Sequence, residues 1–408
     1  MRRSIPALSI SGWILALAVF GLQPFPAEAE VLRAIPSLLL EERWDSNVFN
    51  TSSNEQSDFV TRATPRLGLS FRAFQDNILL RGSLEAEKYA DHTELDSNSS
   101  VKSLELTTEG PMRFSPRFSL TPYARYLEAR DTFRRNELTL VPGDVNLPPD
   151  SLASAREKVR EYTATIQTVT LLSPRLDLGV GGGWVKREFP EDTARLQDGS
   201  RAITGNATLN FRASPRFAYG PYADVVYTSY DNNPNSRIYT GGLSAIYDWS
   251  AFLRIEARAG ASYLRQATVS GDGTDTNWSP NGRLAFTYAK ADFRARLSGD
   301  YGYSGGGSFG QPTQRGNVSL SFTNQFVSRW WWDLSGYYQT ARSVDDPITE
   351  DLATTSGTAA IRYQAASWAT ISLSGNVYDQ EDNGPTNDSV RRQTIMLGFD
   401  LSSTYTIF

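Results

Sequence analysis

Three copies of one short turn frame this chain: Ser115-Pro116-Arg117, Ser173-Pro174-Arg175 and Ser214-Pro215-Arg216. Proline fixes φ at such a corner, and the segments on either side alternate apolar with polar residues. After Arg175, Leu176, Leu178, Val180 and Trp184 fall on one face at period two. Asp177, Gly179, Gly181, Gly183 and Arg187 fall on the other. The pattern runs on to the C-terminus with no linker, low-complexity tract or break in composition. Strands that each carry one polar and one apolar face are all satisfied by a sheet closed on itself, polar inside and apolar outside.

Two further segments show the same split. Leu253, Ile255, Ala257, Ala259, Ala261 and Tyr263 alternate with Arg254, Glu256, Arg258, Gly260 and Ser262. Phe293, Ala295, Leu297 and Tyr301 alternate with Arg294, Arg296, Ser298 and Asp300. An Arg on a lipid-facing position at mid-depth costs roughly 2–4 kcal/mol, so a one-residue slip that turned Arg294 and Arg296 outward is strongly disfavoured. Between Ile166 and Val169 the apolar phase changes, which predicts a bulge. Ile395, Leu397, Phe399 and Leu401 share a face, whereas Phe408 has the opposite parity.

The chain opens with Met1-Arg2-Arg3, an apolar core from Trp13 to Leu22, and Ala27-Glu28-Ala29. A basic start, a short apolar run and a small-x-small site describe a secretory signal peptide, residues 1–29, leaving 30–408 as one barrel domain. A transmembrane anchor is the rival reading. The short core and the cleavage site close behind it argue against that. No later run approaches the roughly 18 apolar residues of a membrane-spanning helix. With the first strand expected from about Ala34 to Trp44, no separate domain is expected before the barrel. There is no cysteine, so disulfides and thiolate metal sites are excluded. Mean hydropathy of −0.39 beside 19 Tyr, 20 Phe and 9 Trp suits a wall in which only alternate residues meet lipid.

Short and long connections alternate. Short ones fall near Gln75, Ser115, Ser173, Ser214, Trp249, Lys290, Ser328 and Ala366; long ones fall near residues 45–57, 91–100, 132–155, 189–199, 231–236, 267–277, 304–313, 344–352 and 382–389. This is the rhythm of short periplasmic turns and longer extracellular loops, and it gives about 18 antiparallel up-and-down strands, with about 16 the alternative. The expectation is an all-β, integral barrel of a Gram-negative outer membrane.

Alternation assigns thirteen arginines to the inside: Arg66, Arg72, Arg81, Arg125, Arg187, Arg212, Arg254, Arg258, Arg283, Arg294, Arg296, Arg315 and Arg362. Against them stand Glu85, Glu87, Glu105, Asp177, Asp224, Asp248, Glu256, Asp300 and Asp333. The inside therefore has a cationic excess in a chain of net charge −5. Rings of Arg select anionic solutes in pores. The plainer reading is that these groups pair across strands and line a wall, and both stand open at this point.

Little else points to chemistry. The one histidine, His92, falls in a loop, where a hydrolase would need a hydroxyl and carboxylate to converge on it. Gly179 to Gly183 opens no helix and carries no phosphate-loop lysine; glycines there leave room on the inner face. Trp249, Trp330, Trp331, Trp332 and Trp368 beside short turns, with Tyr263, Tyr301 and Tyr303 near long loops, read as two interfacial girdles. Inward Tyr222, Tyr230, Tyr337 and Tyr378 could alternatively stack on sugars. Acids crowd the long loops (Glu191, Asp192, Asp198; Asp272, Asp275; Asp345, Asp346, Glu350, Asp351; Glu381, Asp382, Asp388), as a solvated rim or as ligands for Ca²⁺ or Mg²⁺ shared with lipopolysaccharide. Loop 132–155 is the longest and a candidate constriction. No cofactor or resident metal is expected.

The first hairpin reads Glu41-Glu42-Arg43-Trp44-Asp45-Ser46-Asn47-Val48-Phe49, then Asp58-Phe59-Val60-Thr61, then Pro65-Arg66-Leu67. This resembles the opening of a family of β-barrel porins encoded beside exopolysaccharide synthesis and export genes. Trp44 stands where that family more often has Tyr, and Ser46 where it has Asp. The resemblance is specific over residues 38–71 and architectural beyond them. It implies an outer-membrane barrel serving polysaccharide export, with no catalytic residues carried over. A water-filled conduit for an anionic exopolysaccharide is thus the first expectation, a general or anion-selective diffusion porin the second, and an outer-membrane hydrolase the third. The partners implied are outer-membrane lipid and lipopolysaccharide, the barrel-assembly machinery and, for a conduit, polysaccharide-export components of the periplasm or inner membrane. Nucleic acid is not among them.

Overall fold

The computed structural model describes residues 32–73, 76–130, 158–190, 198–267, 273–305, 311–344, 351–384 and 389–407. The signal segment, loop 132–155, Phe408 and the acids Glu191, Asp192, Asp272, Asp345, Asp346, Glu350 and Asp388 lie outside these residues.

The strands are β1 (Leu32–Asp45), β2 (Asp58–Ala73), β3 (Asp76–Tyr89), β4 (Ser97–Thr108), β5 (Met112–Ser115), β6 (Phe118–Ala129) and β7 (Val159–Ser173). Then come β8 (Leu176–Glu188), β9 (Ser200–Ser214), β10 (Phe217–Tyr230), β11 (Ser236–Asp248), β12 (Leu253–Ala267) and β13 (Thr274–Lys290). The circuit is completed by β14 (Phe293–Ser304), β15 (Thr313–Val327), β16 (Trp330–Ser343), β17 (Asp351–Ala366), β18 (Ala369–Asp382), β19 (Ser389–Ser402) and β20 (Tyr405–Thr406). Apart from β5 and β20, each pairs antiparallel with the next strand of the wall (β4 with β6), and β19 pairs back onto β1 (Leu40↔Phe399, Asp45↔Thr394), which closes the ring. Two segments add no wall position. β5 continues β4 along β6 after the break at Glu109-Gly110-Pro111, where proline has no N–H for the ladder. β20 continues β19 along β1. The wall therefore has 18 strands.

Cross-strand partners share a face, so the ladders sort every side chain. Leu243, Ile203, Leu104, Val318, Leu373 and Ile395 are exposed on one face of a single-layer sheet. The opposite, concave face holds Arg392, Asp45, Glu87, Ser262 and Gln339, all nearly inaccessible. In lipid, only helices and closed barrels satisfy every backbone group. A ring with no free edge and an apolar outer band makes this chain an integral outer-membrane β-barrel. Trp249, Trp330, Trp332 and Trp368 ring the short-turn end, and Trp278 and Tyr301 lie outside toward the loops.

Two expectations are corrected here. The ladder between β7 and β8 runs without a break from Arg160 to Leu171, and the register shift sits at Leu171/Ser173, beside the turn. Val169 and Leu171 simply face inward (partners Gly179 and Asp177), because a water-lined wall tolerates scattered apolar side chains. Trp331 is likewise on the inner face, paired with Arg362, since three successive residues of a strand cannot share one side.

Candidate functional site: the inner wall

All thirteen arginines fall on the inner face when the ladders are followed round the ring, for example Gly68↔Arg81↔Glu105↔Arg125 and Arg258↔Arg283↔Asp300. Seven are ion-paired. Arg212 reaches Asp177 at 3.2 Å, Arg254 reaches Asp248 at 2.8 Å, Arg362 reaches Asp333 at 2.7 Å and Arg187 reaches Glu161 at 3.1 Å. Arg66–Asp400, Arg81–Glu105 and Arg315–Asp300 are looser, at 3.6–3.9 Å. Among the described residues, Arg72, Arg125, Arg258, Arg283, Arg294 and Arg296 have no carboxylate within ion-pair distance. The plain reading, a wall of matched pairs, thus covers about half of the set.

Four of those six lie on three adjacent strands. Arg258 of β12 stands directly opposite Arg283 of β13, while Arg296 and Arg294 of β14 face Thr287 and Ala289. Like charges directly opposite one another destabilise a sheet unless water or a counter-ion intervenes. Arg258, Arg283 and Arg294 are exposed and Arg296 is half-buried, so this patch meets solvent. The Arg258 guanidinium lies 5.3 Å from the centre of the Tyr222 ring and within electrostatic reach of Asp224 on the same face.

Tyr222 is held by an unusual row. It pairs with Gly242, which pairs with Gly260, which pairs with Asn281. With no side chain at either glycine, Tyr222 reaches across both, and its hydroxyl donates to Asn281 Oδ1 at 3.0 Å. A Cβ at Gly260 would stand 2.1 Å from the Gly241 carbonyl oxygen, so the close approach depends on glycine. Tyr230 makes a similar brace, donating to the Gly305 carbonyl at 2.6 Å. Tyr222, Tyr230 and Tyr378 are buried and Tyr337 half-buried. These rings stiffen the wall, and the buried ones have no face free to stack on a sugar.

The seam where β19 meets β1 is built differently. Arg392 donates from Nε to Asp45 Oδ1 at 2.8 Å, also contacts Asp45 through NH2, and donates from NH1 to Asn50 Oδ1 at 2.5 Å. Arg43 lies 3.0 Å from the same carboxylate. Asn47 donates through Nδ2 to the Thr51 and Arg391 carbonyls, tying the first loop to β19. Next to it Glu87 takes Arg62 at 2.7 Å and Arg130 at 3.1 Å. Val48 turns inward from the loop and packs on Val60 and Tyr89. The stretch from Glu41 to Phe49 and from Asp58 to Thr61, which carries the family resemblance, is thus the clasp of the barrel. Alternation alone does not single out Arg43, Arg62, Arg130 and Arg392. Parity with Thr394 and Met396 places Arg392 inside, but Leu38-Leu39-Leu40 obscures the phase in β1.

His92 belongs to this clasp. Its Nδ1 is 3.0 Å from Asp58 Oδ2, its Nε2 is 2.8 Å from Gln56 Oε1, and its ring meets Phe49 edge-on at 5.1 Å. Both ring nitrogens are engaged in cross-linking the first two loops. Nearby, Asp96 accepts from the Tyr89 N–H and from Lys88, and these bonds hold its carboxyl below the ordinary 3.8. Of the described loop acids, Asp198 binds Asn232 and Asn233. No three of the described Asp, Glu and His residues gather as a cation site.

No protein-family model and no curated protein sequence matches this chain. Similar solved structures include Pseudomonas aeruginosa OpdL (13% identity, covering 94% of this chain and 100% of that one, TM-score 0.44). They also include P. aeruginosa OpdK with vanillate (9%, covering 91% and 99%, TM-score 0.44) and Acinetobacter baumannii OccAB4 (11%, covering 94% and 100%, TM-score 0.42). At these values the reading of function rests on the chain's own residues.

Proposed function

We propose that the barrel is an anion-selective diffusion channel of the outer membrane. One observation carries this reading: Arg258, Arg283, Arg294 and Arg296 form a solvent-facing patch on three adjacent strands with no carboxylate of the described residues within ion-pair distance, so that Asp300 opposite Arg283 and Asp224 near Arg258 leave a cationic excess. Rings of about 16–18 strands leave an aqueous lumen. Guanidinium forks bind carboxylates and phosphates in two-point geometry, and several such weak sites in series let an anion enter and still leave. Small organic anions are the class of solute this wall suits.

A second reading, an exopolysaccharide conduit, draws on the resemblance over residues 38–71 and would use the same arginines for an anionic chain. Planar-bilayer recordings across a salt gradient separate the two. The channel reading expects a stable ohmic conductance whose zero-current potential favours the anion, and loss of that preference when all four arginines become alanine. Unchanged selectivity in the quadruple variant contradicts it. A deletion strain that loses surface polysaccharide while keeping small-anion uptake favours the conduit.

A further inference from the structure

Near the long loops, the outer face of the wall changes from apolar to basic across β4, β6, β7, β8 and β9. Lys102, Glu128, Arg160 and Glu188 form one outward ladder row, and Lys158 joins it from just before β7. Three cations converge on one carboxylate. Lys102 and Lys158 stand 3.0 and 3.2 Å from Glu128 Oε1, Arg160 Nε is 2.6 Å from Oε2, and the Tyr126 hydroxyl donates to Oε2 at 3.1 Å. Beside them Lys186 is paired to Glu188, and its ladder partner Arg201 is exposed. The Glu128 carboxylate is 5% accessible, whereas Lys102 and Arg160 keep 44% and 37% of their side chains accessible. One carboxylate is satisfied by one cation, so this cluster holds positive charge in excess and displays it outward. Arg160 spends its Nε on Glu128, and its terminal NH1 and NH2 make no hydrogen bond within the described residues.

The next outward ladder row, Leu104, Tyr126, Tyr162, Lys186 and Arg201, sets aromatic and aliphatic side chains beside the cations. Tyr126 lies 5.2 Å from Tyr162, and Tyr162 lies 6.4 Å from Trp184. On the same outer face Leu104 and Ile166 are exposed. Cations adjoining aromatic and aliphatic side chains on one outer face suit a lipid whose phosphate lies next to its acyl chains. The match is in charge as well as polarity, in a chain that is acidic overall.

We propose that this patch is a binding site for the phosphorylated glucosamine of lipopolysaccharide, with Lys102, Lys158 and Arg160 taking a phosphate and Lys186 and Arg201 extending the site along the wall. It is independent of what passes through the lumen. The refolded full chain in detergent is titrated with bisphosphorylated lipid A, with dephosphorylated lipid A, and with phosphatidylglycerol, and binding is read by native mass spectrometry. Bisphosphorylated lipid A is expected to bind at least about tenfold more tightly than the other two. A Lys102→Gln/Arg160→Gln double variant is expected to lose that margin, and Lys186→Gln/Arg201→Gln, which leaves the Glu128 cluster intact, to narrow it several-fold. Equal affinity for phosphorylated and dephosphorylated lipid A overturns the proposal. So does equal affinity for phosphatidylglycerol, and so does a Lys186→Gln/Arg201→Gln variant, folded by gel mobility, that binds like the parent.

Discussion

The seam and the β12–β14 wall use the same side chain, arginine on the inner face, for opposite ends. At the seam Arg392 is 2% accessible and its guanidinium is shared between Asp45 and Asn50. On the wall Arg258 looks across the ladder at Arg283, with a tyrosine ring and the Asp224 carboxylate nearby but no ion pair among the described residues. A buried cation is kept only where its partners are complete, because desolvation is otherwise too costly. An exposed one can remain incomplete, and incompleteness is what leaves it available to a solute. Accessibility and partner count, rather than residue type, divide structural arginines from functional ones here.

The largest expected effect breaks the seam. Asp45→Ala leaves Arg43 and Arg392 buried without their shared carboxylate, and should cost about 3–5 kcal/mol. Urea unfolding of the refolded barrel, followed by heat-modifiable gel mobility, measures it. The four-alanine wall variant should by contrast unfold within about 0.5 kcal/mol of the parent while its anion selectivity disappears. If the wall variant is the unstable one, the division of labour is wrong.

An intermediate effect tests which side of the wall is which. Leu297→Arg places a charge on the apolar face between the inward Arg296 and Ser298, and should cost roughly 2–4 kcal/mol if the position sits at mid-depth in lipid. Smaller again, His92→Ala removes the bonds to Asp58 and Gln56 and should weaken the closed arrangement of the first two loops by about 1–2 kcal/mol. Faster limited proteolysis within residues 46–57 with an unchanged global unfolding midpoint would show it.

The smallest effect is a pH dependence confined to the clasp. Because Asp96 titrates below 3.8 in the folded chain, its bonds to the Tyr89 N–H and Lys88 contribute fully above that value. The contribution is lost as pH falls through the lowered folded value. Hydrogen exchange at the Tyr89 amide should be protected at neutral pH and lose protection only under strong acid, and Asp96→Asn should remove that acid-dependent step.

How far this was legible in the sequence follows from what each strand can report about itself. Parity within one strand exposes two faces, and the Ser-Pro-Arg corners with the other short connections mark the turns, so closure and strand number could be read directly. Pairing between charges belongs to two strands at once. That Arg258 meets Arg283 while Arg212 finds Asp177 depends on inter-strand offsets that no single strand reveals. The clasp was hidden for the same reason: Asp45 and Arg392 are 347 residues apart and meet only when the ring closes. Local apolar residues were the other source of error. Val169 mimics a change of phase and Trp331 a girdle residue, although a water-lined wall accepts either on its inner side.

The chain has no cysteine, so single cysteines report cleanly on their surroundings. Arg294→Cys, Leu297→Cys and Arg392→Cys, refolded into lipid vesicles and exposed to a charged, membrane-impermeant thiol reagent, put the account to its most direct test. Rapid modification at 294 with slow modification at both 297 and 392 is the predicted result. Equal labelling at 294 and 297, or a position 392 as reactive as 294, would contradict it.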